Sequence, residues 1–230
     1  MFSRLLPRLF LALLAASACA APRSELTPGA VDSVVAPDGV SSEAWTHAVA
    51  AHRQATLEGR TASPLVTIID FTLPATRQRL WVVDLGTHEV LATEYVAHGK
   101  HSGGLMATRF SNRDGTHQSS LGTFITAAPY IGVRGISLRL RGLEPGINDN
   151  AWNRGIVIHG TPNVSASRAR KGTMGRTEGC PAVPKESARR LIRLIENGVV
   201  VFAWFPDRAF LEHSEYLERG AAAIRLATLE

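Results

Sequence analysis

Between residues 65 and 205 the chain is cut into apolar runs of five to seven residues, each bounded by turn-forming residues. This punctuation limits the fold more than any other feature, because runs of that length make short strands and not long helices. The runs fall at 65–70, 79–84, 90–96, 122–127, 136–140 and 155–159. Leu85-Gly86-Thr87-His88-Glu89 joins the second and third as a hairpin loop. The last run, 199–205, is continuously apolar and reads as a strand covered on both faces. Helical signals lie at the margins. Ser41-Ser42-Glu43 caps a helix carrying Ala44, Trp45, Ala48, Val49 and Ala55 at helical spacing, and Gly59 ends it. Pro184 suits the first turn of another, with Leu191, Ile192, Leu194 and Ile195 as its apolar face and Gly198 as its stop. One amphipathic helix is expected from 207 to about 226. The fold class expected is mainly β with peripheral helices.

The 230 residues are 45% hydrophobic, enough for a real core and too many for a disordered chain. Residues 1–20 have the layout of a secretory signal peptide. Arg4 and Arg8 precede an apolar run over 9–18, and Ala18-Cys19-Ala20 ends it in small residues. That run is too short to cross a bilayer. Export to the periplasm or cell envelope is expected, with membrane attachment only if Cys19 is lipidated. Residues 21–40 read as a flexible tether, 41–206 as the main domain with its N-terminal helix, and 207–230 as a helical tail. The formal charge falls from +5 to +3 once Arg4 and Arg8 leave with the first 20 residues. No run of basic residues with interleaved aromatics points to nucleic acid.

Removal of the signal also takes Cys19 and leaves one cysteine, Cys180. A lone thiol in an exported chain makes no internal disulfide, so it is inert, shared between chains, or reactive. Its neighbours favour reactivity. Gly179 lets the main chain turn tightly, so the N–H groups of Glu178, Gly179 and Cys180 can converge as an oxyanion hole. The strand Gly155-Ile156-Val157-Ile158-His159-Gly160 delivers a histidine at its end, beside a glycine that leaves room for substrate. An imidazole within reach of a thiol takes its proton, as acyl transfer requires. Cys180 is thus the candidate nucleophile and His159 its base.

Ile158-His159-Gly160 with Gly175-Arg176-Thr177-Glu178-Gly179-Cys180-Pro181 resembles the active-site signature of YkuD-type L,D-transpeptidases, in the divergent murein L,D-transpeptidase branch. Ile69-Asp70-Phe71-Thr72-Leu73-Pro74, Phe110-Ser111-Asn112, Ser119-Ser120-Leu121-Gly122, Ser137-Leu138-Arg139-Leu140 and Gly142-Leu143-Glu144-Pro145-Gly146 extend the resemblance over about 65–206. It implies a β-sandwich catalytic domain acting on peptidoglycan stem peptides, as donor and as acceptor, without a cofactor. It also implies acylation of Cys180 by carbapenems. Two positions depart from the common signature. Glu178 stands where a second histidine is usual, and Ala182 where Arg or Asn is usual. Arg176 becomes the candidate for holding the donor's carboxylate, with Thr177, Gly160, Ser119 and Ser120 as further substrate contacts.

Three other readings stand beside this one. Water as acceptor gives an L,D-carboxypeptidase. An exported β-rich domain can also be a non-catalytic wall-binding module. A metal site could draw on His98, His101 and His117 with His159 and Cys180, but no second cysteine or acidic cluster completes the set, and no metal is expected.

Overall fold

The structure is a computed structural model that describes residues 35–227. The expected signal peptide, Cys19 and residues 21–34 of the expected tether lie outside the described residues. The chain is mainly β, with helices around one eight-stranded sheet.

Helix α1 (Ser42–Leu57) starts where the Ser41 hydroxyl accepts the Ala44 N–H at 3.2 Å. The same hydroxyl donates to Asp70 at 2.8 Å and ties the helix start to the end of β1 (Leu65–Asp70). Ala44, Trp45, Ala48, Ala51 and Ala55 form the buried face. Next come β2 (Gln78–Asp84), β3 (Val90–Tyr95), β4 (Gly122–Gly132), β5 (Gly135–Gly142), β6 (Val157–Thr161), α2 (Ala166–Arg170), β7 (Ala182–Pro184), α3 (Lys185–Ile195), β8 (Val200–Trp204), α4 (Arg208–His213) and α5 (Glu215–Ala227).

The strand order is β3-β2-β1-β8-β4-β5-β6-β7. Strand β8 is central, parallel to β1 and antiparallel to β4, and all five of its residues are buried. This is why residues 199–205 read as an unbroken apolar run. At the far edges the sheet meets itself. Ala97, two residues beyond β3, exchanges main-chain hydrogen bonds with Ala182 of β7 at 2.8 and 3.4 Å. Ala97, Val164 and Ala182 form a small apolar cluster at this closing seam, apart from the main core, and the seam runs beside Cys180.

Two expectations change. The strand carrying His159 runs 157–161, not 155–159. Gly155 (φ 65°) is in the preceding turn, and parallel pairing with β7 carries β6 past the histidine to Thr161. His159 is therefore mid-strand and buried, not at an exposed end. The single C-terminal helix is two, because Ser214 is extended. Its hydroxyl accepts the Leu217 N–H, capping α5, and donates to the buried Glu144. Helix α5 packs on α1, with Tyr216 and Leu217 buried and the Tyr216 hydroxyl on Glu58. The described C-terminal helices belong to the body of the domain.

Candidate active site

Cys180 and His159 line one cavity of about 170 Å³, with Ala97, Arg134, Thr161, Asn163, Gly175, Arg176, Thr177 and Glu178. Sheet register brings them together. His159 pairs with Ala182 across β6 and β7, two residues after Cys180. Cys180 is half-buried, and its Sγ lies 3.6 Å from the Gly155 carbonyl. Burial pushes its thiol above the ordinary range, against the opposing pull of the Val157 N–H and the Arg134 and Arg154 charges. His159 Nδ1 lies 3.1 Å from the Gly160 carbonyl. A neutral imidazole donating there keeps Nε2 as its acceptor. Burial first, then the Arg134 charge, holds His159 below its usual pKa, against the opposing pull of the Gly160 carbonyl. Both shifts favour the uncharged forms, a thiol and a neutral imidazole.

The loop before Cys180 is stitched to its surroundings by main-chain bonds. Thr177 N–H donates to His98 O at 3.0 Å, and Lys100 N–H to Thr177 O at 2.7 Å. Gly179 adopts φ 124°, and a β-carbon there would sit 2.9 Å from Gln118 O, so glycine is required on both counts. Its carbonyl accepts the Ser119 hydroxyl at 2.9 Å.

Several residues expected at the substrate work elsewhere. The Gly179 N–H donates to Thr177 Oγ1 at 3.1 Å, and that hydroxyl donates to Cys180 O at 2.6 Å. Thr177 therefore fastens the turn and takes Gly179 out of the expected oxyanion set, leaving the N–H groups of Cys180 and Glu178. Ser119 and Ser120 are buried beneath the loop, not on the cleft. Ser119 Oγ also accepts the Gly99 N–H at 3.0 Å, and Ser120 Oγ donates to Ser111 O at 2.9 Å. The space left by Gly160 is filled by α3. A β-carbon there would be 2.8 Å from Ala188 Cβ and 3.1 Å from Lys185 Cα. Arg176 does line the cavity, with Nη1 donating to Gly103 O at 3.2 Å.

Glu178, flagged as a departure, is an exposed clamp. It meets Lys100 Nζ and His117 Nδ1, each at 2.7 Å. The Lys100 hydrogen bond, with the charges of Lys100, His117 and His101, holds its carboxyl below the ordinary range. At the other departure, Ala182 is fully buried in the seam, so its side chain cannot reach a ligand. Of the histidines of the metal reading, His101 and His117 pack edge to face at 5.4 Å. His98 is buried and accepts Arg79 Nη2 at 2.7 Å, while His117 serves Glu178. Among the described residues no group of three His, Cys, Asp or Glu side chains is arranged to hold a metal ion.

Three arginines were not found from sequence. Arg134 lies in the two-residue loop joining β4 to β5, and its signal was the Gly132-Val133-Arg134-Gly135 turn. Arg154 donates to Ser111 O at 2.5 Å, Ser120 Oγ at 2.6 Å and Gln118 O at 2.7 Å, beneath the Cys180 loop. Arg79 is fully buried, bonded to Leu73 O (2.7 Å), Val96 O (2.8 Å) and His98. Burial pushes its guanidinium down to about 9, with Asp70 opposing. It also holds neighbouring His98 down, at about 4, where burial is the larger cause. A larger hollow, about 350 Å³, lies between Phe110, Leu121, Ile147 and Phe210. Its Asp207 caps α4, its His213 bonds Ala209 O, and its Ser111 Oγ accepts the Arg113 N–H.

A family model described as the L,D-transpeptidase catalytic domain (YkuD_2) matches residues 37–204. No curated protein matches the chain. Among solved structures the chain is similar to an L,D-transpeptidase from Mycobacterium smegmatis, at 15% identity and TM-score 0.40, over 62% of this chain and 59% of that one. It is similar to the LD transpeptidase LdtMt1, solved in complex with imipenem, at 14% identity and TM-score 0.39, over 61% and 59%. The helical cell shape determining protein Pgp2 from Campylobacter jejuni matches at 10% identity and TM-score 0.46, over 77% and 62%. The chain thus spans about 60% of the length of these structures, at 59%, 59% and 62%.

Proposed function

Because the chain belongs to the L,D-transpeptidase catalytic domain family, we propose that it is an exported cysteine acyltransferase of the cell envelope acting on peptidoglycan stem peptides. The observation that carries this reading is the cavity shared by Cys180 and His159, where the Gly160 carbonyl fixes the imidazole so that Nε2 is the free acceptor.

The reaction runs in two halves. Cys180 Sγ attacks the carbonyl of the third stem residue, a diamino acid, as its proton passes to His159 Nε2. The N–H groups of Cys180 and Glu178 stabilise the oxyanion, each such donor contributing roughly 3 kcal/mol. The carbon–nitrogen bond to the terminal D-Ala breaks, and the histidine returns the proton to the leaving amine. A thioester remains on Cys180. In the second half an amine of another stem gives its proton to His159 and attacks the thioester. The new amide is a 3→3 crosslink, and the thiol re-forms. Water in place of the amine gives the tripeptide, the L,D-carboxypeptidase outcome. Carbapenems would acylate the same thiol. The Arg4 and Arg8 flank, the apolar run and the Ala18-Cys19-Ala20 end support export.

The test is incubation of the mature protein with disaccharide-tetrapeptide, with and without an acceptor amine, and mass analysis of the products. Crosslinked dimers support the transpeptidase, and tripeptide alone the carboxypeptidase. No product, together with a thiol inert to carbapenem, would favour a wall-binding module.

A further inference from the structure

The β4–β5 hairpin runs out beyond the sheet. Strand β4 pairs with β8 only over residues 122–125, and β5 pairs with β6 only over 137–139. From 129 to 136 the two strands pair only with each other, and Val133 and Arg134 close the loop between them. The end of this projection is apolar and open to solvent. Ile131 is 77% exposed, Tyr130 39%, and Val133 completely. Withdrawing such surface from water is favourable wherever an apolar medium is offered.

The same hairpin is basic. Residues 122–142 hold Arg134, Arg139 and Arg141 and no Asp or Glu. None of the three arginines makes an ion pair among the described residues. Two of them are stacked on aromatic rings instead. The Arg139 guanidinium lies 5.6 Å from the centre of the Tyr130 ring and 4.8 Å from that of Trp152, and the Arg141 guanidinium lies 4.8 Å from Trp152. Tyr130 pairs with Ser137, so it shares a face with Ser137, Arg139 and Arg141, which alternate along β5. Stacking orders a guanidinium and leaves its N–H edge for oxygen anions such as phosphate. An exposed apolar tip, cations without carboxylates, and a Tyr and a Trp beside them match the chemistry of a bilayer surface. Acyl chains take the tip, headgroup phosphates take the cations, and amphipathic rings favour the boundary.

We propose that the β4–β5 hairpin docks this domain on an anionic lipid bilayer. Ile131 and Val133 enter the acyl boundary, and Arg139 and Arg141 meet lipid phosphates. A projecting tip suits a fluid bilayer, which closes around it, better than a folded partner, which must supply a matching pocket. Arg134 and Thr161 line both the Cys180 cavity and a second hollow bounded by Val133, Gly160 and Lys185. Docking therefore holds the Cys180 cavity near the bilayer surface. The attachment is peripheral, since among the described residues no helix is long and apolar enough to cross a membrane. It needs neither a lipid on Cys19 nor acyl-transfer chemistry.

The test is co-sedimentation of the mature protein, without a lipid anchor, with vesicles of phosphatidylcholine alone or mixed with phosphatidylglycerol. The wild type should bind the mixed vesicles, less so at high salt, and the neutral vesicles far more weakly. I131S/V133S should bind about tenfold more weakly or worse. R139Q/R141Q should lose about fivefold for each arginine, while R139K/R141K should keep most of the affinity. I131S/V133S should retain the wild-type melting temperature and the wild-type rate of Cys180 alkylation by iodoacetamide, and Cys180→Ala should bind vesicles as the wild type does. Val133→Trp should add a fluorescence that lipids brominated on their acyl chains quench, which adsorption by charge alone would not produce. Absence of wild-type binding to the mixed vesicles, full binding by I131S/V133S, or an unquenched Val133→Trp would overturn the proposal. Lipid-free self-association, or capture by peptidoglycan sacculi, that the tip variant abolishes would overturn it in favour of a second copy or a wall polymer.

Discussion

The centre of the sheet and its closing seam are held by different forces. At the centre, β8 between β1 and β4 buries Val200, Val201, Phe202 and Trp204 in apolar contact, and burial itself is the stabilising term. At the seam, β3 and β7 meet through a few main-chain bonds, and buried polar groups complete the joint. Arg79 bonds Val96 O, Ser119 bridges Gly99 N–H and Gly179 O, and Arg154 gathers Ser111 O and Gln118 O. Apolar packing tolerates exchanges of similar volume. A hydrogen-bonded seam does not, because each lost partner strands a buried group. The Cys180 thiol sits at the seam, where the backbone is positioned by specific bonds.

Substitutions sharpen this contrast, and the largest effect is expected at the thiol. Cys180→Ala should abolish turnover with no loss of melting temperature, and Cys180→Ser should be nearly as inactive. His159→Gln should cost roughly 10²–10⁴-fold in rate, the usual worth of a general base. In the wild type the base must be unprotonated, so activity is lost as pH falls through a His159 pKa held below 6.5. The acid limb of kcat/KM should therefore lie below pH 6.5 and vanish in the glutamine variant. A limb above that value would contradict the neutral pair.

The centre should respond in stability alone. Phe202→Ala should cost about 3–5 kcal/mol by chemical denaturation, with Cys180 alkylation unchanged under native conditions. Ser119→Ala should cost less, about 1–3 kcal/mol, by leaving Gly99 N–H and Gly179 O short of a partner. It should also slow alkylation of Cys180, which the Phe202 variant should not. If the two variants behave alike in both readouts, the distinction between centre and seam fails. The smallest effect belongs to Glu178→Gln. Its partners are exposed, so melting should barely move, while any salt dependence of the loop's proteolysis should disappear.

The same contrast separates what could be read in the sequence from what could not. Strands such as β1 and β8 were legible because a buried apolar run has one explanation. That Cys180 and His159 share a cavity could be anticipated because a lone thiol beside glycine and an upstream histidine form a chemical combination. Strand β7 was missed, since Ala182-Val183-Pro184 is too short and ends in proline. Ser119 and Ser120 were expected at the substrate because a serine that pins a main chain looks the same in sequence as one that meets a ligand, whereas Thr177 both pins the turn and lines the cavity. Gly160 was expected to make room for substrate, and the room goes to α3, because which face a glycine clears depends on packing. Arg134 and Arg154 went unread because an arginine's direction is set by hairpin register and loop path.

The most direct test of the central claim is the intact mass of the protein after brief exposure to tetrapeptide donor, followed by mapping of the modified peptide. The account predicts a tripeptidyl adduct on Cys180, with loss of D-Ala, formed in the wild type and absent from Cys180→Ala. Turnover of the donor by Cys180→Ala, or an adduct mapped to another residue, would contradict it.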